Sequence, residues 1–193
     1  MLSPAQVSDA DPQRGVVLLG GISKHFHWSN EEITTQVHAI VQQSPQVRWQ
    51  VIDSRRTPDD LQQHLKLPEN AKYVHWRDTQ NSWLTHQLSR SSATWVTPDS
   101  ASMVYEALSF AGRVGIIALR PKRASNKLAQ GIRRLQALGY VGSSTGGPLP
   151  QQNLNTVALA EHRRCAELIM QRWFSAFLDR GAPLRKVEGN NEW

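Results

Sequence analysis

Short apolar runs alternate along this chain with stretches whose apolar residues recur every three or four positions. Val16, Val17, Leu18 and Leu19 form a continuous run that ends at Gly20-Gly21, the pattern of a buried parallel strand entering a tight turn. Residues 47–52 predict a second strand, 72–76 a third, 94–97 a central one and 112–119 another, the last built on Val114, Ile116 and Ile117 and closed by Pro121. Helical periodicity fills the intervals. Ser29 predicts an N-cap, with Glu31 and Glu32 in the first turn, Ile33, Val37, Ile40 and Val41 on one face, and an end at Ser44-Pro45. Further helices are expected from Thr57 or Pro58, through Leu88, after Pro98, over 122–138 and over 157–178. Gly139 ends the fourth of these, and Tyr140-Val141 makes a short segment after it. Such alternation predicts an α/β fold, a Rossmann-like parallel sheet with helices on both faces.

The polar stretch 1–14, with Pro4 and Pro12, reads as a flexible arm or linker, residues 15–180 as a single domain, and 181–193 as a loose tail. Residues 142–152 are rich in Ser, Gly and Pro and predict a loop or hinge before the last helix. Its buried stripe is Cys165, Leu168, Ile169, Trp173 and Phe177. No internal repeat is found.

In open α/β sheets ligands gather beyond the carboxyl ends of the strands, and three suggestive loops fall there. Gly20-Gly21-Ile22-Ser23-Lys24 lets backbone approach a ligand and adds a positive charge, although it lacks the Gly-Lys-Ser/Thr spacing of a Walker A motif. Arg55 and Arg56 follow the second strand, where guanidinium groups can grip a phosphate or carboxylate. A surface salt bridge to Asp59 or Asp60 is the plainer alternative. After the central strand, Asp99 is a candidate N-cap, and Ser100 and Ser102 lie in the first turn of a helix. At 100° per residue, Asp99, Ser102 and Glu106 share a narrow sector. Phosphate on the helix N–H groups, with Glu106 accepting from ribose hydroxyls, would suit a phosphorylated sugar. An ordinary capped helix with a solvated Glu106 fits the same residues. His25-Phe26-His27 has no cysteine or carboxylate set to complete a metal site, and no metal is expected.

Charge sharpens this picture. The 193-residue chain carries a formal net charge of +6, and no acid lies between Glu106 and Glu161. Arg113, Arg120, Lys122, Arg123, Lys127, Arg133 and Arg134 all fall in that interval. Such a run attracts phosphate-bearing ligands, nucleic acid or an anionic surface, unless it is simply a solvated face. Nucleic acid is the least favoured, because the interleaved aromatics of a single-strand platform are missing. The lone Cys165 excludes an internal disulfide, fits a reducing compartment, and reads as a buried structural thiol. No apolar run approaches the roughly 18 residues of a membrane span, and no secretory signal is recognisable. A cytoplasmic location is expected, with peripheral attachment to a membrane the variant.

The string Val96-Thr97-Pro98-Asp99-Ser100-Ala101-Ser102-Met103-Val104-Tyr105-Glu106-Ala107 resembles the VT-x-DS-x-SM-x-x-EA signature of the mitochondrial fission ELM1-like family. Leu18-Leu19-Gly20-Gly21-Ile22-Ser23-Lys24-His25-Phe26-His27-Trp28 and Ser54-Arg55-Arg56-Thr57-Pro58 agree with it in order and spacing. Asn81-Ser82-Trp83 departs from it, since the family usually reads Asn-Pro-Tyr there. The resemblance implies the fold of the C-terminal, nucleotide-binding half of GT-B glycosyltransferases. It implies phosphate binding by Gly20, Gly21, Ser23, Lys24, Arg55, Arg56, Asp99, Ser100 and Ser102, ribose binding by Glu106, and no cofactor beyond a nucleotide-sugar ligand. The acceptor half, where such enzymes generally carry their base, has no counterpart in the sequence; a missing N-terminal domain or a second copy would supply it. The chain alone is therefore expected to bind without turning over, because turnover needs a positioned acceptor and base. The alternative is a non-catalytic interaction module, as in the plant relatives that recruit a dynamin-related protein.

Overall fold

The structure, a computed structural model, describes residues 10–79, 82–110 and 112–143. Every described residue belongs to one compact unit. The expected helix over 157–178 with Cys165, the tail from 181, most of the 142–152 loop, and Asn81 lie outside the described residues.

Six strands form one sheet in the order β3-β2-β1-β4-β5-β6, and every neighbouring pair is parallel. The strands are β1 (Asp11–Leu18), β2 (Arg48–Ile52), β3 (Ala71–Val74), β4 (Ser91–Val96), β5 (Arg113–Ile116) and β6 (Gly142–Ser143). The helices are α1 (Asn30–Gln42), α2 (Leu61–Leu65), α3 (Trp83–Arg90), α4 (Ala101–Leu108) and α5 (Lys127–Ala137). This is a Rossmann-like order, and it reverses direction between β1 and β4.

Alternation along the strands sends side chains to opposite faces, so each face has its own core. Val17, Leu19, Trp49, Val51, Ala93 and Trp95 pack with Ile33, Val37, Ile40 and Val41 of α1 and with Leu61 and Leu65 of α2. Val16, Leu18, Ile52, Val96, Val114 and Ile116 pack with Leu88 of α3, Val104, Ala107 and Leu108 of α4, and Ile132 and Leu135 of α5. Burial on both faces explains why β1 is an unbroken apolar run rather than an alternating one.

Several element ends differ from the sequence expectation, each through a side chain distant in sequence or a local cap. β1 begins at Asp11 rather than Val16. Asp11 accepts from the Gln13 N–H at 2.9 Å and pairs with Arg14 at 3.2 Å and Arg48 at 3.5 Å. A register shift between Asp11 and Gly15 takes up Pro12, which has no N–H to give the ladder. α2 starts at Leu61 rather than Thr57, because the Thr57 hydroxyl is spent on the backbone carbonyls of Leu19 and Gly20. α5 starts at Lys127 rather than Lys122, capped by Asn126, whose side chain accepts from the N–H groups of Leu128 and Ala129. The last strand is Gly142–Ser143, one step beyond the expected Tyr140-Val141, and Val141 is buried instead.

Candidate functional site

The loops after β1, β2 and β4 lie at the carboxyl edge on three adjacent strands, and they are bonded to one another. Gly20 donates its N–H to the buried Thr97 hydroxyl at 2.7 Å, and its carbonyl accepts from the hydroxyls of Ser54, at 2.7 Å, and Thr57. Gly21 donates to Asp99 Oδ2 at 3.0 Å, and Ile22 donates to the Arg56 carbonyl at 3.1 Å. A Cβ on Gly20 would collide with both Asp99 carboxylate oxygens, and one on Gly21 would collide with the Arg56 carbonyl. The two glycines are thus demanded by close approach within the protein. Their N–H groups are engaged by Thr97 and Asp99 rather than held open.

Asp99 is not the N-cap of α4, and it does not share a helical sector with Ser102 and Glu106. It precedes the helix, is 5% exposed, and turns back onto the β1 loop. There its Oδ2 meets the Arg56 guanidinium at 2.8 Å, while Oδ1 is buried with no hydrogen-bond partner among the described residues. For Arg56, the alternative of a surface bridge to Asp59 or Asp60 gives way to this inward pair. The Gly21 N–H and the Arg56 guanidinium thus give this buried side chain a hydrogen-bond donor and a counter-charge. Arg56 also reaches the Ile22 carbonyl at 3.4 Å, so it ties three loops together.

The N-cap of α4 is Ser100, and no side chain caps the helix. Its hydroxyl lies 3.0 Å from that of Ser102, which is exposed. One turn on, Glu106 is half-buried, and burial raises its carboxyl above the ordinary value. α4 therefore presents unsatisfied N–H groups, two hydroxyls and a carboxylate where the β1 and β4 connections part.

Ser23 and Lys24 have a different setting. The Ser23 hydroxyl accepts from the N–H groups of His25 and Phe26 at 3.2 and 3.3 Å, and its carbonyl accepts from Lys122 Nζ at 2.9 Å. Phe26 bridges Pro121, and the His25 carbonyl accepts from Lys122 N–H at 2.9 Å and Asn126 Nδ2 at 2.7 Å. The β1 loop is thus strapped to the loop after β5, a contact the sequence did not announce. Lys24 is exposed.

A second cluster at the same edge went unread. Asp53, 8% exposed at the end of β2, accepts from Tyr73 Oη at 2.7 Å, His75 Nδ1 at 2.6 Å and the Trp76 N–H at 2.5 Å. It draws the chain out of the sheet after Val74 into a 3-10 turn, Trp76–Asp78, where the sequence pattern extended the strand to Trp76. Burial, then the bond to Asp53, pushes the Tyr73 hydroxyl well above its ordinary range. The guanidinium of Arg55 lies 5.2 Å from the centre of the Trp76 ring, and that of Arg77 lies 5.1 Å from it. An acid closing an apolar strand was the available signal.

The family model for mitochondrial fission ELM1 matches residues 3–173. The chain belongs to that family. No curated protein shows a significant match to the sequence. Among solved structures, this ELM1-family chain is similar to a UDP-GlcNAc 2-epimerase from Neisseria meningitidis bound to UDP-GlcNAc, with 15% identity and a TM-score of 0.45. That match covers 69% of this chain and 33% of the epimerase, so the chain spans about a third of its length. It is also similar to AnUbiX (PadA1) in complex with FMN and dimethylallyl pyrophosphate, with 11% identity, a TM-score of 0.41, and coverage of 72% of this chain and 80% of the other.

The ELM1 signature divides here between packing and surface. Val96, Thr97, Val104 and Ala107 are buried, Asp99 locks the β1 loop, and Ser100, Ser102 and Glu106 line the edge. A cavity of about 300 Å³ opens at the opposite, amino end of the strands, among Arg14, Gly15, Gln50, Asn70 and Lys72. It shares no residue with the signature. Among the described residues, no helix is long and apolar enough to cross a membrane.

Proposed function

We propose that the carboxyl edge binds a nucleotide-sugar or a closely related phosphorylated ligand, as the donor-binding half of a glycosyltransferase-like protein. The uncapped start of α4 at the switch point of the sheet carries this reading. Ser100 and Ser102 would hold phosphate together with the N–H groups of the first turn, and Glu106 would accept from a ribose hydroxyl. Asp99 would not repel the phosphate with a full charge, because Arg56 and the Gly21 N–H neutralise it from below. Gly20 and Gly21 would act by shape, bringing the β1 loop close under the ligand. Arg55 and Lys24, both exposed on this edge, would add positive potential.

Thermal shift across UDP-, GDP-, CMP- and dTDP-sugars, followed by titration calorimetry, tests the proposal. A ligand that binds only the native state raises stability with the logarithm of its concentration over Kd. At least one class should raise Tm and do so less in Ser102→Ala. Uniform silence from a folded protein would contradict it and favour the interaction module. Ile22, 62% exposed in the β1 loop, would then be an apolar contact for a partner.

A further inference from the structure

Arg55 and Arg77 come from loops after different strands, yet both hold their guanidinium over the Trp76 ring. With each guanidinium about 5 Å from the ring centre, the two charges lie within about 10 Å of each other. Neither forms an ion pair among the described residues. Asp59 and Asp78, in the adjoining segments, pair with neither, and Asp53 is committed to Tyr73, His75 and the Trp76 N–H. Both arginines are exposed. A guanidinium held over a ring by cation–π attraction, with no ion pair among the described residues, keeps N–H groups with which to grip an oxyanion. The platform is fixed from below, since Asp53 holds the backbone on which Trp76 sits.

We propose that Arg55, Trp76 and Arg77 form an anion clamp, a second binding site separate from the start of α4, for a doubly charged oxyanion such as a phosphate monoester. Folding gathers two cations around one indole ring with no carboxylate paired to either among the described residues, and a dianion reached by both guanidiniums relieves that repulsion. The clamp rests on the reading of this edge as the ligand side, but it has its own probe. Arg55 follows β2 and Trp76 and Arg77 follow β3, so the clamp residues leave the sheet two and three strand spacings from β4, about 10 and 14 Å along the edge from the strand that leads into α4. A ligand with a second anionic group could engage both sites.

Titration of the full chain with inorganic phosphate at low ionic strength, followed by proton–nitrogen NMR, tests this. The Arg55 and Arg77 Nε–H signals and the Trp76 indole signal should shift together and saturate. Arg77→Gln, a change at an exposed side chain, should weaken phosphate binding at the Arg55 signal at least fivefold, and Trp76→Leu should do the same. The Ser102 amide response should be unaltered in Arg77→Gln. A non-saturating Arg55 shift, or one equal in wild type and Arg77→Gln, overturns the clamp. A clamp that responds beside a silent Ser102 amide would uphold it while counting against phosphate at α4.

Discussion

Gly20 faces the carboxylate of Asp99 so closely that no side chain fits between them. Gly20→Ala would force the Asp99–Arg56–Gly21 arrangement apart, and we expect a loss of about 1–3 kcal/mol by urea denaturation, the usual cost of overpacking. Asp99→Ala should cost a similar amount, roughly 1–3 kcal/mol, because the Gly21 N–H loses its acceptor; Arg56 is 41% exposed and recovers part of its solvation. Glu106 behaves in the opposite sense. Its folded carboxyl binds a proton more readily than the unfolded chain does, so stability falls as pH rises from the ordinary value of 4.5 through the raised one. Glu106→Gln should accordingly raise Tm at neutral pH, with the gain vanishing in acid. The same change should weaken nucleotide-sugar binding by roughly 1.5–3 kcal/mol, the range for a hydrogen bond to a charged group. A variant less stable at both pH values would contradict the burial of an uncompensated carboxylate. Asp99 shows the limit of reading residues in sequence. Its type and place predict a cap, but the acceptor it provides is claimed by a glycine 78 positions away.

Elements whose determinants are local were legible. α1 starts after Ser29, whose hydroxyl accepts from Glu32 N–H, and buries Ile33, Val37, Ile40 and Val41, all four readable from the period. β3 was not, because Asp53 ends it from another strand, and the α5 start was not, because residues 121–126 pair with the β1 loop. Asn126 serves both purposes at that junction, capping α5 and holding the His25 carbonyl. Asn126→Ala should cost about 1–2 kcal/mol, the range for a lost cap, and should speed amide exchange at His27 and Lys122, whose N–H groups bond across the strap. Exchange unchanged at both amides would show that the strap does not depend on Asn126.

At the scale of the whole molecule, the parallel order and both-face burial followed from strand–helix alternation, and with them the convergence of the β1, β2 and β4 loops on one edge. Which N–H groups remain open on that edge could not be read, since tertiary hydrogen bonds decide it. The formal charge of +6 favours anions at long range, so ligand affinity should fall as salt rises toward the screening length of about 8 Å at physiological ionic strength. The most direct test of the account is amide shift mapping with the best nucleotide-sugar of the thermal screen. It should perturb Ala101, Ser102 and Met103 most strongly, with Glu106 next along α4. Perturbation confined to Arg14, Gly15, Asn70 and Lys72, around the cavity at the amino end of the strands, would contradict it.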